Sequence, residues 1–289
     1  LGLNTHFLNP IRNLAFSPSE DERDNIPFHP TILTAAIGSG LTLPGSVNVM
    51  PASLKVNEIF RWANRISIPV AAALLVIFIG ITGTTKAGFN TIKMKIGAID
   101  FDTEFKLLES IRKHYSANEI TLRVDANGAF DESNVRSRLT DLASLEIHSI
   151  EQPIMPGQGD LMAKLCEEEL LPIALDEELI GIHSLQKKNE LLDKIKPQYI
   201  ILKPSLVGGI KSCREWITLA EERNIGWWMT SMLESNIGLN AIAQFTAEYE
   251  NLLPQGLGTG QLYSNNFDSP LEIRKGELVY NVPKEWEII

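Results

Sequence analysis

Two lysines, three isolated acids and a third lysine stand out for their spacing. Lys93 and Lys95 occupy Thr91-Ile-Lys-Met-Lys-Ile96, Asp125 lies in Leu122-Arg-Val-Asp-Ala-Asn127, Glu151 in Ile150-Glu-Gln-Pro153, Asp176 in Ala174-Leu-Asp-Glu177 and Lys203 in Ile201-Leu-Lys-Pro-Ser205. In extended chain, alternate residues share a face. That puts Lys93 with Lys95, and Arg123 with Asp125 and Asn127, on faces where a covered sheet normally carries branched apolar side chains. Three carboxylates brought to one rim repel each other unless a cation sits between them. An all-oxygen donor set suits Mg²⁺ or Mn²⁺. A desolvated lysine near another cation gives up its proton more readily, as a general base at neutral pH must. A divalent cation also stabilises the enediolate formed when a proton leaves carbon next to a carboxylate. Taken singly, each acid reads as a solvated loop residue and Lys203 as a surface ion-pair partner; the joint register argues for a site.

The elements that would position these residues recur with a steady beat. Apolar, β-rich runs fall at 91–96, 121–126, 147–152, 173–176, 199–203, 226–231 and 255–259. Helix-like stretches lie between them, at 103–114, 133–145, 161–169, 184–195, 210–223 and 236–249. Strand and helix alternating at this spacing predict βαβ units and a parallel sheet. The strand-end residues Lys95, Asp125, Glu151, Asp176, Lys203, Ser231 and Gly258 follow one another at 25 to 30 residues. Seven similar units with chemistry at most strand ends predict an α/β fold of the closed (β/α)₈ barrel type, where catalytic groups come from the C-terminal ends of several strands. An apolar run near 68–77 supplies the first of the eight strands.

The expected organisation is an N-terminal capping region at 1–65, a catalytic barrel at 66–265, and a segment at 266–289 returning to a smaller α+β capping domain. Within the last, 271–274 and 277–282 read as a hairpin around Lys275-Gly276. The twenty uncharged residues 66–85 are long enough for a bilayer. Pro69 and the glycines at 80 and 83 favour a covered strand, and a membrane-anchored protein stands as the alternative class. A net charge of −10 argues against nucleic acid, whose phosphates want a basic face. Cys166 and Cys213 make neither a zinc spacing nor a disulfide framework, and with no signal peptide at the start the expected setting is the cytoplasm. The histidines at 6, 29, 114, 148 and 183 share no ligand spacing and read as surface or packing residues. Trp227 and Trp228 read as alternating core and shell.

The ordered set Lys-x-Lys, Val-Asp-Ala-Asn-Gly at 124–128, Glu-Gln-Pro at 151–153, Leu-Asp-Glu at 175–177 and Leu-Lys-Pro-Ser at 202–205 resembles the enolase superfamily over residues 87–270. Within it the chain looks like the muconate-lactonizing-enzyme subgroup and is most similar to its o-succinylbenzoate synthases. The resemblance implies that Asp125, Glu151 and Asp176 bind Mg²⁺, that Lys95 takes the α-proton and that Lys203 stabilises the enediolate. It implies that Lys93 supports the substrate carboxylate and that Asn127 lies beside the metal. Ser231 and Gly258 become pocket residues for the succinyl arm. The implied reaction is a lyase step of menaquinone biosynthesis, dehydrating 2-succinyl-6-hydroxy-2,4-cyclohexadiene-1-carboxylate, a small-molecule carboxylate. Mandelate-racemase-like members carry a histidine on the seventh strand, and the stretch 226–235 has none; dipeptide epimerases carry Asp-x-Asp on the eighth, and 256–262 has no acid. An N-acylamino acid racemase is the second reading, and a non-catalytic barrel a third. Homo-oligomerisation stays open. The N-terminal third departs from the subgroup's pattern.

Overall fold

A computed structural model of the 289-residue chain describes residue 85 and residues 88–251, 253–258 and 263–281. The capping region at 1–65, the apolar run at 68–77 and nearly all of the uncharged segment 66–85 lie outside the described residues. Among the described residues no helix is long and apolar enough to cross a membrane.

Six parallel strands form one sheet in sequence order: β1 (Thr91–Lys95), β2 (Thr121–Asp125), β3 (Ser149–Glu151), β4 (Ile173–Leu175), β5 (Tyr199–Leu202) and β6 (Gly226–Met229). Helices α1 (Phe101–His114), α2 (Val135–Ala143), α3 (Gly159–Glu168) and α4 (Leu185–Ile195) fill the first four connections. The fifth holds the short α5 (Pro204–Val207) and α6 (Gly209–Glu221), and α7 (Asn236–Thr246) follows β6. A parallel strand cannot return through a tight turn and needs such a crossover. Local chemistry sets several boundaries. The Asp100 side chain accepts a hydrogen bond from Thr103 N at the start of α1, while Arg112, Lys113 and His114 crowd its last turn, matching charge to the helix dipole at both ends. Ser184 caps α4 in the same way through Lys187 N.

Register explains the sheet's two faces. Lys93 pairs with Arg123 and Lys95 with Asp125; Asp125 pairs with Glu151, Glu151 with Ala174, Ala174 with Tyr199, and Ile201 with Trp228. The residues between these face the helices: Val124, Ile150, Ile173, Leu175, Ile200, Leu202, Trp227 and Met229 join the main core with Leu108, Leu139, Leu165, Leu192 and Trp216. On the other face Ala174, Ile201 and Trp228 form a separate small cluster with Tyr199 and Leu253. Trp227 and Trp228 therefore point to opposite faces, but both are buried, one in each cluster, rather than one in the core and one in a shell.

Several boundaries differ from the sequence reading: α1 begins at Phe101 rather than 103, α3 at Gly159 rather than 161, and α7 ends at Thr246 rather than 249. Of the strand expected at 255–259, the described residues 255–258 hold a single parallel bridge, from Gly256 to Thr230, with Gly256 N donating to Met229 O at 2.8 Å. Helix α2 begins at Val135 rather than 133, because Asp131 Oδ1 accepts from Ser133 N and Oγ and Asn134 Oδ1 accepts from Asp131 N, a local turn that competes with the helix. The expected hairpin is present as β7 (Leu271–Arg274) and β8 (Glu277–Tyr280), paired antiparallel.

Candidate active site

Strand alternation delivers Lys93, Lys95, Asp125, Glu151, Asp176 and Lys203 to the sheet face away from the helices, at the C-terminal ends of β1 to β5. Lys93 Nζ lies 2.9 Å from Asp125 Oδ2 and 2.7 Å from Glu151 Oε2. Lys95 Nζ lies 3.0 Å from Asp125 Oδ2 and donates to Asn127 Oδ1 at 2.6 Å. Lys203 Nζ bonds Asp176 Oδ2 and lies 3.6 Å from Glu151 Oε1. Lysines from strands four apart are thus joined through one carboxylate cluster. The acids are buried, while the side chains of Lys93, Lys95 and Lys203 keep 36%, 23% and 15% of their surface. Amines that reach solvent above acids that do not can meet a substrate from the open side.

The electrostatics differ from the sequence expectation in one respect. A desolvated lysine beside another cation was expected to lose its proton easily. Burial does pull the Lys203 pKa down, but Glu151 and Asp176 outweigh it and raise the value. Lys93 is likewise raised, by Glu151 and Asp125 against its desolvation. Nearby acids decide the sign, so both ammonium groups are held charged. Burial alone would raise Glu151, yet Lys93 and Lys203 keep it ionised, whereas Asp176 is pushed up by burial and by the Glu151 charge. Two carboxylates this close do not ionise independently.

The three acids do not close on one point. Among the described residues no three acids, histidines or cysteines make a metal-holding cluster; the ammonium groups of Lys93 and Lys203 supply the positive charge between them. The donors still fit a hard cation, because Glu151 Oε1 is buried without a hydrogen-bond partner and the acids are all oxygen ligands.

Asn127 joins the cluster through both ends of its amide and through its backbone N–H, which donates to Asp125 Oδ1 at 3.1 Å. Ser231 and Gly258 come together beyond β6, where a Cβ on Gly258 would lie 3.0 Å from Ser231 Oγ. Neither hydrogen-bonds to the lysine–carboxylate cluster, and strand parity aligns Thr230, not Ser231, with Trp228. Sequence reasoning passed over two supporting residues inside the motifs it quoted. Gln152, fully buried, accepts from the N–H groups of Asp176 and Glu178 and donates to Ile154 O. Glu177 accepts from Asn127 Nδ2. Both directly follow a candidate ligand, which was the available signal.

Beneath this layer, two residues earlier along β2 and β6, the Arg123 guanidinium lies 3.9 Å over the Trp228 ring. Tyr199 and His148 pack beside it, with His148 5.1 Å from Tyr199 and Nδ1 2.9 Å from Ser149 Oγ. Burial, with Arg123 adding to it, takes the His148 pKa down to about 4.

Residues 82–285 match the family described as enolase C-terminal domain-like. The o-succinylbenzoate synthase of Desulfotalea psychrophila is 55% identical over 191 residues, covering 66% of this chain and 52% of that protein. An N-succinylamino acid racemase of Thermus thermophilus is 34% identical over 52% of this chain and 38% of its own length. The crystal structure of MenC from Desulfotalea psychrophila is similar at a TM-score of 0.68 and 50% identity, over 71% of this chain and 56% of that one. The muconate lactonizing enzyme of Pseudomonas putida shares the fold at a TM-score of 0.64 and 24% identity, over 71% and 57%. The chain spans about half the length of the curated relatives it matches.

Proposed function

The chain belongs to the enolase superfamily through its enolase C-terminal domain-like region, and we propose that it is a lyase that dehydrates 2-succinyl-6-hydroxy-2,4-cyclohexadiene-1-carboxylate to o-succinylbenzoate in menaquinone biosynthesis. The observation that carries this reading is the convergence of Lys95 and Lys203 on one buried carboxylate cluster. The 55% identity to an o-succinylbenzoate synthase selects the substrate. In the same reading residues 66–265 are the catalytic barrel, with 1–65 and 266–289 contributing a capping domain.

Lys95 Nζ takes the proton on the carbon next to the substrate carboxylate, and its electron pair passes into an enediolate. The enediolate's electron pair then expels the hydroxyl, which leaves as water with the proton that Lys95 took, and the ring becomes aromatic, so atoms balance without an oxidant. Lys203, held charged by its acid neighbours, stabilises the enediolate from the opposite side. Lys93 pairs with the substrate carboxylate, while Ser231 and Gly258 border the succinyl arm. Asp125, Glu151 and Asp176 would hold Mg²⁺, with Mn²⁺ as the alternative of like oxygen preference. When bound, the cation supplies positive charge where the carboxylate becomes an enediolate.

The test is product formation by the purified chain, followed by the absorbance of o-succinylbenzoate with and without Mg²⁺, beside an N-succinylamino acid racemase assay. Mg²⁺-dependent product is expected. Racemisation without dehydration would replace this reading with the second one, which the 34% identical racemase represents.

A further inference from the structure

Glu177 is an acid that the proposed reaction does not use. Its Oε1 accepts a hydrogen bond from Asn127 Nδ2 at 2.8 Å, and its Oε2 is buried without a hydrogen-bond partner. On the other side of the same amide, Asn127 Oδ1 accepts from Lys95 Nζ at 2.6 Å. The Asn127 backbone is in the left-handed region at φ 44°, where its N–H meets Asp125 Oδ1. Asn tolerates that conformation better than most residues. Backbone and side chain are therefore both committed.

We propose that Glu177 is a positioning residue that fixes the orientation of the Asn127 amide and, through it, the aim of the Lys95 amine. The physical reason is a clash of signs on reversal. A turned amide would point its oxygen at the Glu177 carboxylate, a repulsive contact, and its NH₂ at Lys95 Nζ, which would lose its acceptor. A neutral apolar residue at 177 removes half of that discrimination. The consequence is sharpest under the proposed function, on which this inference rests. There the metal claims Asp125, and Asn127 is the acceptor that Lys95 keeps. A base held off its line to the reacting carbon loses rate without losing substrate affinity.

The experiment compares wild type, Glu177→Leu and Glu177→Gln. Glu177→Leu is expected to lower kcat about 10- to 100-fold, the range for residues that support a site from behind. KM and the Mg²⁺ Kd from calorimetry should stay within about two-fold. Glu177→Gln keeps an oxygen acceptor toward Asn127 Nδ2 and should recover most of the rate. An unchanged kcat in the leucine variant, or a weakened Mg²⁺ Kd in place of a lowered kcat, overturns the proposal; the second result would make Glu177 a partner of the metal. Should the leucine variant not fold, an atomic-resolution crystal structure of the wild type decides. Asn127 Nδ2 facing Glu177 supports the proposal, and the reversed amide overturns it. The crystallographic reading needs no turnover, so a wild type that forms no o-succinylbenzoate would sink the proposed function while leaving this inference to be judged.

Discussion

His148 makes the fold's acid sensitivity calculable. Its ring is packed among Tyr199, Trp228 and the buried Arg123. Burial, joined by the Arg123 charge, lowers its pKa from an ordinary 6.5 to about 4. Above pH 6.5 the ring is neutral in both folded and unfolded chains, and its burial costs nothing in protonation. As pH falls from 6.5 toward 4 the unfolded chain takes up a proton that the folded chain resists, so stability present above 6.5 is lost by about pH 4. At about 1.4 kcal/mol per tenfold difference in proton affinity the full shift would cost about 3 kcal/mol, and because the ring is only about half buried, solvent screening reduces the expected loss to about 1–2 kcal/mol. That is a measurable share of the roughly 5–15 kcal/mol typical of a domain. Other acids titrate in the same window, so the measurement is a difference. Urea unfolding of wild type and His148→Gln, followed by tryptophan fluorescence at steps from pH 7 to pH 4, should give a stability gap that shifts in the variant's favour by about 1–2 kcal/mol. Parallel curves would refute the argument, as would an imidazole NMR signal for His148 that titrates near 6.5 in the folded protein.

Three further outcomes follow from the site. Lys95→Ala and Lys203→Ala should each lower kcat by at least about 10³-fold while circular dichroism stays native, since general acid–base and charge-stabilising groups contribute on that scale; a variant with near wild-type turnover would remove that lysine from the mechanism. EDTA should abolish o-succinylbenzoate formation and added Mg²⁺ restore it, with Glu151→Gln raising the Mg²⁺ Kd in calorimetry; activity indifferent to EDTA would remove the metal from the reading. Gln152→Leu strands the buried N–H groups of Asp176 and Glu178 and should destabilise the fold by about 1–3 kcal/mol in urea unfolding. An unchanged midpoint would mean that those groups find other partners.

The alternation within each strand and the beat of 25 to 30 residues between strand ends were enough to tell which residues meet. Lys93, Lys95, Asp125, Glu151, Asp176 and Lys203 share one rim because period two and βαβ spacing are local properties, written in neighbouring residues. The hairpin around Lys275-Gly276 was legible for the same reason. What the sequence alone could not decide was how these charges pair. The residue pattern by itself leaves Lys203 as either a base or a fixed charge until Asp176 and Glu151 are seen against it; they raise its proton affinity, in line with the charge-stabilising role that the resemblance implies. The strand expected at 255–259 shrinks to one bridge among its described residues, and His148, an unremarkable residue by spacing, becomes part of a packed aromatic floor. Such outcomes depend on distances of a few ångströms between groups far apart in the chain, and on the loss of water around them. Tertiary packing alone sets both.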